Sequence, residues 1–187
     1  FAPIMTGTEA KDIQLSKLKV APGFKVEVWA DGVPTARSMA IGDKGTVFVG
    51  NRVGKNVVAI TEKDGKRTVK TILKGLDTPN GIVYSKGTLY VAERTKITRF
   101  DNIEANLDNP GAGKLVVDGL DPTNGPGHNW KYLAMGPDGK LYFNIGSPEN
   151  ITMPLYNQAA ILRIDPATTQ LERVATGVRN SVGMDFH

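Results

Sequence analysis

Gly75-Leu76-Asp77-Thr78-Pro79-Asn80-Gly81 is a phrase that this chain uses four times. It occurs earlier as Gly32-Val33-Pro34-Thr35-Ala36-Arg37-Ser38. It returns later as Gly119-Leu120-Asp121-Pro122-Thr123-Asn124-Gly125 and as Gly177-Val178-Arg179-Asn180-Ser181-Val182-Gly183. The leading glycines lie 43, 44 and 58 residues apart. Self-similarity at a period of roughly 40–50 residues marks a repeat architecture, most often a β-propeller blade of about four strands. A propeller arranges equivalent loops around one channel, so polar residues inside the phrase are expected to converge on one site.

Between the phrases the same events recur. Phe24 to Trp29 alternates strictly between apolar and polar residues, the pattern of a half-buried strand. Met39-Ala40-Ile41 and Thr46-Val47-Phe48-Val49 flank Gly42-Asp43-Lys44-Gly45, where Asp and Gly supply hairpin-turn chemistry. Strands over 56–60 and 67–73 follow. Unit two reads as strands over 82–84, 88–91, 96–100 and 114–117, and unit three as strands over 133–135, 141–143, 161–164 and 170–174. No segment holds a helical period. The expected architecture is all-β: a β-propeller of four-stranded blades, with about three blades and the start of a fourth present. Residues 1–20 read as an irregular lead-in and 21–187 as a partial propeller domain.

Two connections break the repeat. Asn102 to Gly113 is longer than its counterparts, and Ser147 to Gln158 is an insertion containing Pro148, Asn150 and Pro154. A surface loop is the ordinary reading of each, and a wall over the channel mouth is the alternative.

The bulk figures narrow the class. The 187 residues carry 40% hydrophobic and 22% charged side chains, 21 glycines and no cysteine. Disulfides, thiolate zinc sites and a thiol nucleophile are therefore excluded. The net charge is +4, but Lys and Arg are scattered and no basic run is interleaved with aromatics, which argues against nucleic acid. No apolar stretch approaches the roughly 20 residues of a membrane span. The first residue is Phe1, not methionine, as in a mature chain after signal removal or an excised piece; export to the periplasm or secretion is the expectation. Three blades do not close a ring, since propellers use about four to eight. A second chain or a missing C-terminal half is expected to complete it.

The chemistry-bearing residues lie in or beside the phrases. His128, one of two histidines, sits in Asn124-Gly125-Pro126-Gly127-His128-Asn129-Trp130-Lys131, just before an innermost strand. An imidazole there suits general-base work near neutral pH, and a merely structural loop histidine is the alternative. Arg179 and Asn180 hold the equivalent place one unit on; a guanidinium beside an amide can grip a planar carboxylate or quinone, or Arg179 can simply pair with an acid. Asn80 and Arg37 are in the same phase, and Asn80 in Pro79-Asn80-Gly81 is also plain turn chemistry. No metal-ligand spacing, GxGxxG, P-loop or GxSxG elbow occurs.

Three stretches resemble the glucose/sorbosone dehydrogenase family: Ala36 to Ala40, His128 to Gly139 and Gly177 to His187. That family comprises six-bladed propellers and includes soluble sugar dehydrogenases that use pyrroloquinoline quinone (PQQ); the likeness covers the first half of its domain. The resemblance implies that His128 takes the proton of a substrate hydroxyl while hydride passes to C5 of the quinone. It implies that Arg179 contacts the quinone oxygens, with Asn180 and, more loosely, Asn80 as further cofactor contacts. It implies a sugar or sugar-derived aldehyde as substrate, a separate electron acceptor, and calcium whose ligands belong to the second half. Gly127 departs from the pattern, because relatives often carry there an acid that orients the imidazole. Two alternatives remain beside the dehydrogenase: a metal-dependent six-bladed lactonase and a propeller that only binds a partner.

Overall fold

The structure, a computed structural model, describes residues 9–120, 128–155 and 157–187. Among these residues it contains twelve strands: β1 Ala36–Ile41, β2 Val47–Asn51, β3 Asn56–Lys63, β4 Lys66–Lys74, β5 Gly81–Ser85, β6 Thr88–Ala92, β7 Ile97–Phe100, β8 Lys114–Val117, β9 Leu133–Met135, β10 Leu141–Ile145, β11 Ala160–Ile164 and β12 Leu171–Thr176. They form three antiparallel four-stranded sheets, each ordered as in the sequence. These are propeller blades, each a meander whose first strand lies innermost, with β5 packing on β1 at one side and on β9 at the other.

The repeated phrase has a backbone cause. Its leading glycines, Gly32, Gly75, Gly119 and Gly177, all take φ between 71° and 76°, and nothing crowds the space a Cβ would fill. Glycine is needed there for its left-handed backbone, which at Gly75, Gly119 and Gly177 follows an outer strand and turns the chain inward. Residues 121–125 of the third phrase lie outside the described residues.

A second shared device was not visible in the repeat. The pairing of third and fourth strands slips at the same place in every blade: between Val57 and Val58, between Ile97 and Thr98, and between Ile161 and Leu162. A bulge there strengthens the local twist and bends the outer strand, as a blade requires.

The core lies between blades. Phe48, Val57 and Ala59 meet Ile82, Leu89 and Val91 in one seam. Tyr90, Ala92 and Ile97 meet Leu133, Leu141, Phe143 and Leu162 in the next. Phe48, Tyr90 and Tyr142 take the same position on the second strand of each blade, facing onward around the ring. Phe48 stacks on Tyr84 at 5.9 Å, and Tyr142 meets Phe186 edge-on at 4.8 Å.

One strand expectation is corrected. Residues 24–29 form no strand, and Phe24 is 74% exposed. Alternation sets up an apolar face, but a strand also needs a hydrogen-bonded neighbour, and no described strand pairs with this segment. Trp29 is instead held by Arg67, whose guanidinium lies 4.5 Å from the indole centre and donates to the Trp29 carbonyl at 2.9 Å. The lead-in carries two short 3₁₀ turns, Ala10–Asp12 and Leu15–Lys17.

Candidate functional site

In a hairpin the start of the first strand lies beside the end of the second. The phrases and the loops after β2, β6 and β10 therefore gather at one end of the blades. Glycine permits the closest approaches. A Cβ on Gly81 would come 2.5 Å from the Lys131 carbonyl oxygen, and one on Gly146 would strike His128, 2.5 Å from its carbonyl oxygen.

His128 lies just before β9 and is half-buried. Its Nδ1 is 2.9 Å from the Ser147 carbonyl oxygen, an acceptor only, so Nδ1 carries the proton and donates. Nε2 is then the unprotonated nitrogen, 3.3 Å from Nη1 of Arg179, which donates to it. Ser147 does double duty, for its N–H donates to the Arg179 carbonyl at 2.8 Å. One peptide segment thus fixes both residues. The backbone carbonyl of Ser147 does the orienting that the sequence assigned in relatives to an acid beside the histidine.

Arg179 is exposed, and its Nη1 also donates to Asn150 Oδ1 at 2.6 Å. No carboxylate among the described residues pairs with it. Through Asn150, the insertion after β10 reaches the site as part of its wall. Asn180 follows with its Oδ1 buried and unpartnered.

Trp130 joins this cluster to a cavity. Its ring meets His128 edge-on at 6.3 Å, and Arg52 lies over its indole, 4.2 Å from the ring centre. The cavity has a volume of about 370 Å³ and is lined by Arg37, Ser38, Met39, Asn80, Trp130, Tyr132 and Val182, with Ala36. Each of the four repeat units lends at least one residue. Asn80, 5% exposed, donates from Nδ2 to the Lys131 carbonyl at 2.9 Å and keeps its Oδ1 without a partner. Its backbone also turns tightly, N–H to the Thr78 carbonyl at 2.7 Å.

The structure therefore brings His128, Arg179 and Asn150 into one hydrogen-bonded cluster and sets Asn80 in the wall of the adjoining cavity. Sequence reasoning missed Ser147, Asn150, Gly146 and the Arg52–Trp130 pair. Arg52 could have been found, because it follows the second strand of its blade as Ser147 follows β10, and such loops lie beside the phrases. No group of three or more His, Cys, Asp or Glu side chains capable of holding a metal occurs among the described residues.

A run of four-stranded blades whose inner loops form a cationic, histidine-bearing site defines the class as a β-propeller with a channel-end site. The chain belongs to the TrAA12-like family, whose model matches residues 18–187. An uncharacterized protein of Borreliella burgdorferi is 34% identical over 181 residues, covering 92% of this chain and 47% of the relative. A Trichoderma reesei protein of carbohydrate-active enzyme family AA12 superposes with a TM-score of 0.68 at 22% identity, over 82% of this chain and 43% of that one. The PQQ-bound aldose sugar dehydrogenase of Streptomyces coelicolor gives a TM-score of 0.54 at 21% identity, over 71% of this chain and 45% of that one. The chain thus spans about half the length of the relatives it matches. At this identity the two solved structures establish the fold. The resemblance to glucose/sorbosone dehydrogenases holds at that level, and the family is the TrAA12-like one.

Proposed function

We propose that the protein is a PQQ-dependent oxidoreductase that oxidises a sugar or a sugar-derived aldehyde, with His128 as general base. The carrying observation is the arrangement Ser147 carbonyl, His128 imidazole, Arg179 guanidinium. It leaves Nε2 unprotonated, its lone pair accepting from Arg179 and open to a substrate proton once that donor turns to the cofactor. It also sets beside Nε2 a positive charge that no carboxylate among the described residues neutralises. His128 Nε2 would take the proton of the substrate hydroxyl as the carbon–hydrogen bond at the same carbon breaks. Arg179 would offset negative charge developing beside it, as oriented donors do.

The residues fit the cofactor. A polycarboxylated planar quinone calls for guanidinium and amide groups with free hydrogen-bonding capacity. Arg179 and Arg37 supply the charge and the unpartnered Nε1–H of Trp130 a further donor, while the unpartnered Oδ1 atoms of Asn180 and Asn80 are acceptors for a ring N–H of the cofactor or a substrate hydroxyl. When bound, PQQ supplies the two-electron acceptor for hydride. Arg179, Asn180 and Asn80 would hold it. Calcium is part of the same proposal, with ligands from outside this chain. So are an electron acceptor that reoxidises the quinone, a further half or second chain that closes the ring, and export to the periplasm or medium.

The test is reconstitution of the full-length protein with PQQ and calcium, followed by turnover of aldoses and aldehydes with an artificial electron acceptor. His128→Asn should still take up PQQ while turnover falls by about 10²–10⁴-fold. Wild-type protein that takes up no PQQ, or a His128→Asn variant of undiminished turnover, would overturn the proposal. Quinone-free, metal-dependent lactone hydrolysis would select the lactonase instead.

A further inference from the structure

Arg37 and Arg52 are an unusual pair. They come from the first strand and the post-β2 loop of the same blade, and Trp130 links them: Arg52 lies over its indole, 4.2 Å from the ring centre, and Arg37 lines the cavity that Trp130 also lines. Burial first, and then the charge of Arg37, hold the Arg52 pKa below the ordinary guanidinium range. Neither guanidinium has a carboxylate partner among the described residues. Two like charges, one of them partly desolvated, destabilise the fold that holds them unless an anion completes the arrangement.

The surroundings specify the anion. Arg52 lies over the face of Trp130, a contact that holds its donor fork in place. Arg37, Ser38 and Trp130 line the same cavity, and the Nε1–H of Trp130 is a buried donor without a partner. Trp130 and Tyr132 add aromatic surface, and Met39 and Val182 an apolar rim. An aqueous counter-ion needs none of this apolar and aromatic lining. A carboxylate on a ring uses all of it.

We infer that Arg37 and Arg52, backed by Trp130, form a carboxylate-binding subsite that is separate from the His128–Arg179 pair and accepts a ring-borne carboxylate. The carboxylate belongs either to the quinone or to an acidic sugar such as a uronate. The inference rests on the proposed function for which of these molecules carries the group, and not for its charge.

Isothermal titration of the full-length protein separates the possibilities, with PQQ, galacturonate and galactose as probes. Against wild type, the double variant Arg37→Gln/Arg52→Gln should lose about tenfold or more in affinity for the carboxylated probe that uses the subsite. Galactose affinity should not change. A loss for PQQ assigns the subsite to the cofactor. A loss for galacturonate with PQQ unaffected assigns it to an acidic substrate. Arg37→Lys/Arg52→Lys keeps the charge without the planar fork and should fall between, which also guards against a double variant that does not fold. Both carboxylated probes binding the Gln variant as tightly as wild type overturns the inference, as does a wild type that binds neither. Wild type that binds galacturonate but not PQQ overturns the proposed function and leaves the subsite standing.

Discussion

Two sets of arginines in this chain live under opposite rules. On the outer part of blade three, Arg163 donates from Nε to Glu172 at 2.8 Å and from Nη1 to the Tyr142 hydroxyl at 3.2 Å, with Asp138 3.5 Å away. Lys140 approaches the other oxygen of Glu172 at 3.2 Å. Hydrogen bonds to Tyr142 and Glu172 raise the Arg163 pKa. At the inner end, burial and Arg37 lower that of Arg52, while Arg179 has an amide oxygen and an imidazole, and no carboxylate, as partners among the described residues. The outer arginine has its charge balanced by the fold. The inner ones are held in place without balance, which costs stability and is explained by a ligand that arrives with negative charge.

The largest break of this contrast comes from exchanging the two kinds of arginine. Arg179→Met should lower turnover of the PQQ-loaded full-length protein by about 10²–10³-fold, the usual cost of removing a donor at developing charge. Arg163→Met should leave turnover unchanged, because its partners, Tyr142, Glu172 and Asp138, are none of the residues of the His128 cluster or the cavity. Steady-state kinetics of the two variants checks both. Equal losses would mean that charge balance says nothing about function here.

A smaller effect sharpens the role of the glycine beneath His128. Gly146→Ala places a methyl group against the His128 backbone and should cost about 1–3 kcal/mol of stability, measured by denaturant unfolding. It should also lower turnover, because the imidazole and Ser147 can no longer keep their register. A stable variant of full activity would mean that the loop absorbs the methyl group.

Glu104 ties the first hairpin to blade two. It accepts from the Lys44 N–H at 3.1 Å and lies 3.0 Å from the Tyr84 hydroxyl, which is also 2.9 Å from Asp43. Burial alone would raise its pKa, but the hydrogen bonds from Thr46, Lys44 and Tyr84 outweigh that and hold it below 4.5. A folded pKa below the unfolded one adds stability above the unfolded value, and that stability disappears as pH falls through the folded one. Glu104→Gln should therefore destabilise by roughly 1–2 kcal/mol at pH 7, with the difference shrinking below the ordinary carboxylate pKa. Thermal melts across that pH range measure it.

The smallest effect belongs to the outer ladder itself. Hydrogen bonds from Arg163, then from Lys140, lower the Glu172 pKa, but the side chain is still 33% exposed and its ion pairs are screened by solvent. Glu172→Gln should lower the unfolding midpoint slightly at neutral pH and not at all once the medium is acidic enough to protonate the folded carboxylate. A large shift at neutral pH would show the outer ladder to be a main support of the blade.

The blades were legible because their signals are local. A left-handed turn demands glycine at 32, 75, 119 and 177, and strand alternation with Asp-Gly turns marks the hairpins. Phe24 to Trp29 misled because alternation describes a face and not a partner. The candidate site was proposed from the sequence only in or beside the phrase, at His128, Arg179, Asn180 and Asn80. Ser147 acts through its backbone, so its side-chain type carries no signal. Arg52 and Trp130 meet across 78 positions of sequence with no periodicity to link them. Gly146 is small because another backbone passes beside it, which only the packed blades reveal.

The most direct measurement is an absorbance titration of PQQ into the calcium-loaded full-length protein, with Arg179→Met and Arg163→Met run beside wild type. We expect saturable, stoichiometric uptake by wild type and Arg163→Met and clearly weaker uptake by Arg179→Met. No uptake by wild type, or the same affinity in all three, would contradict the reading of the unbalanced inner arginines as a quinone site.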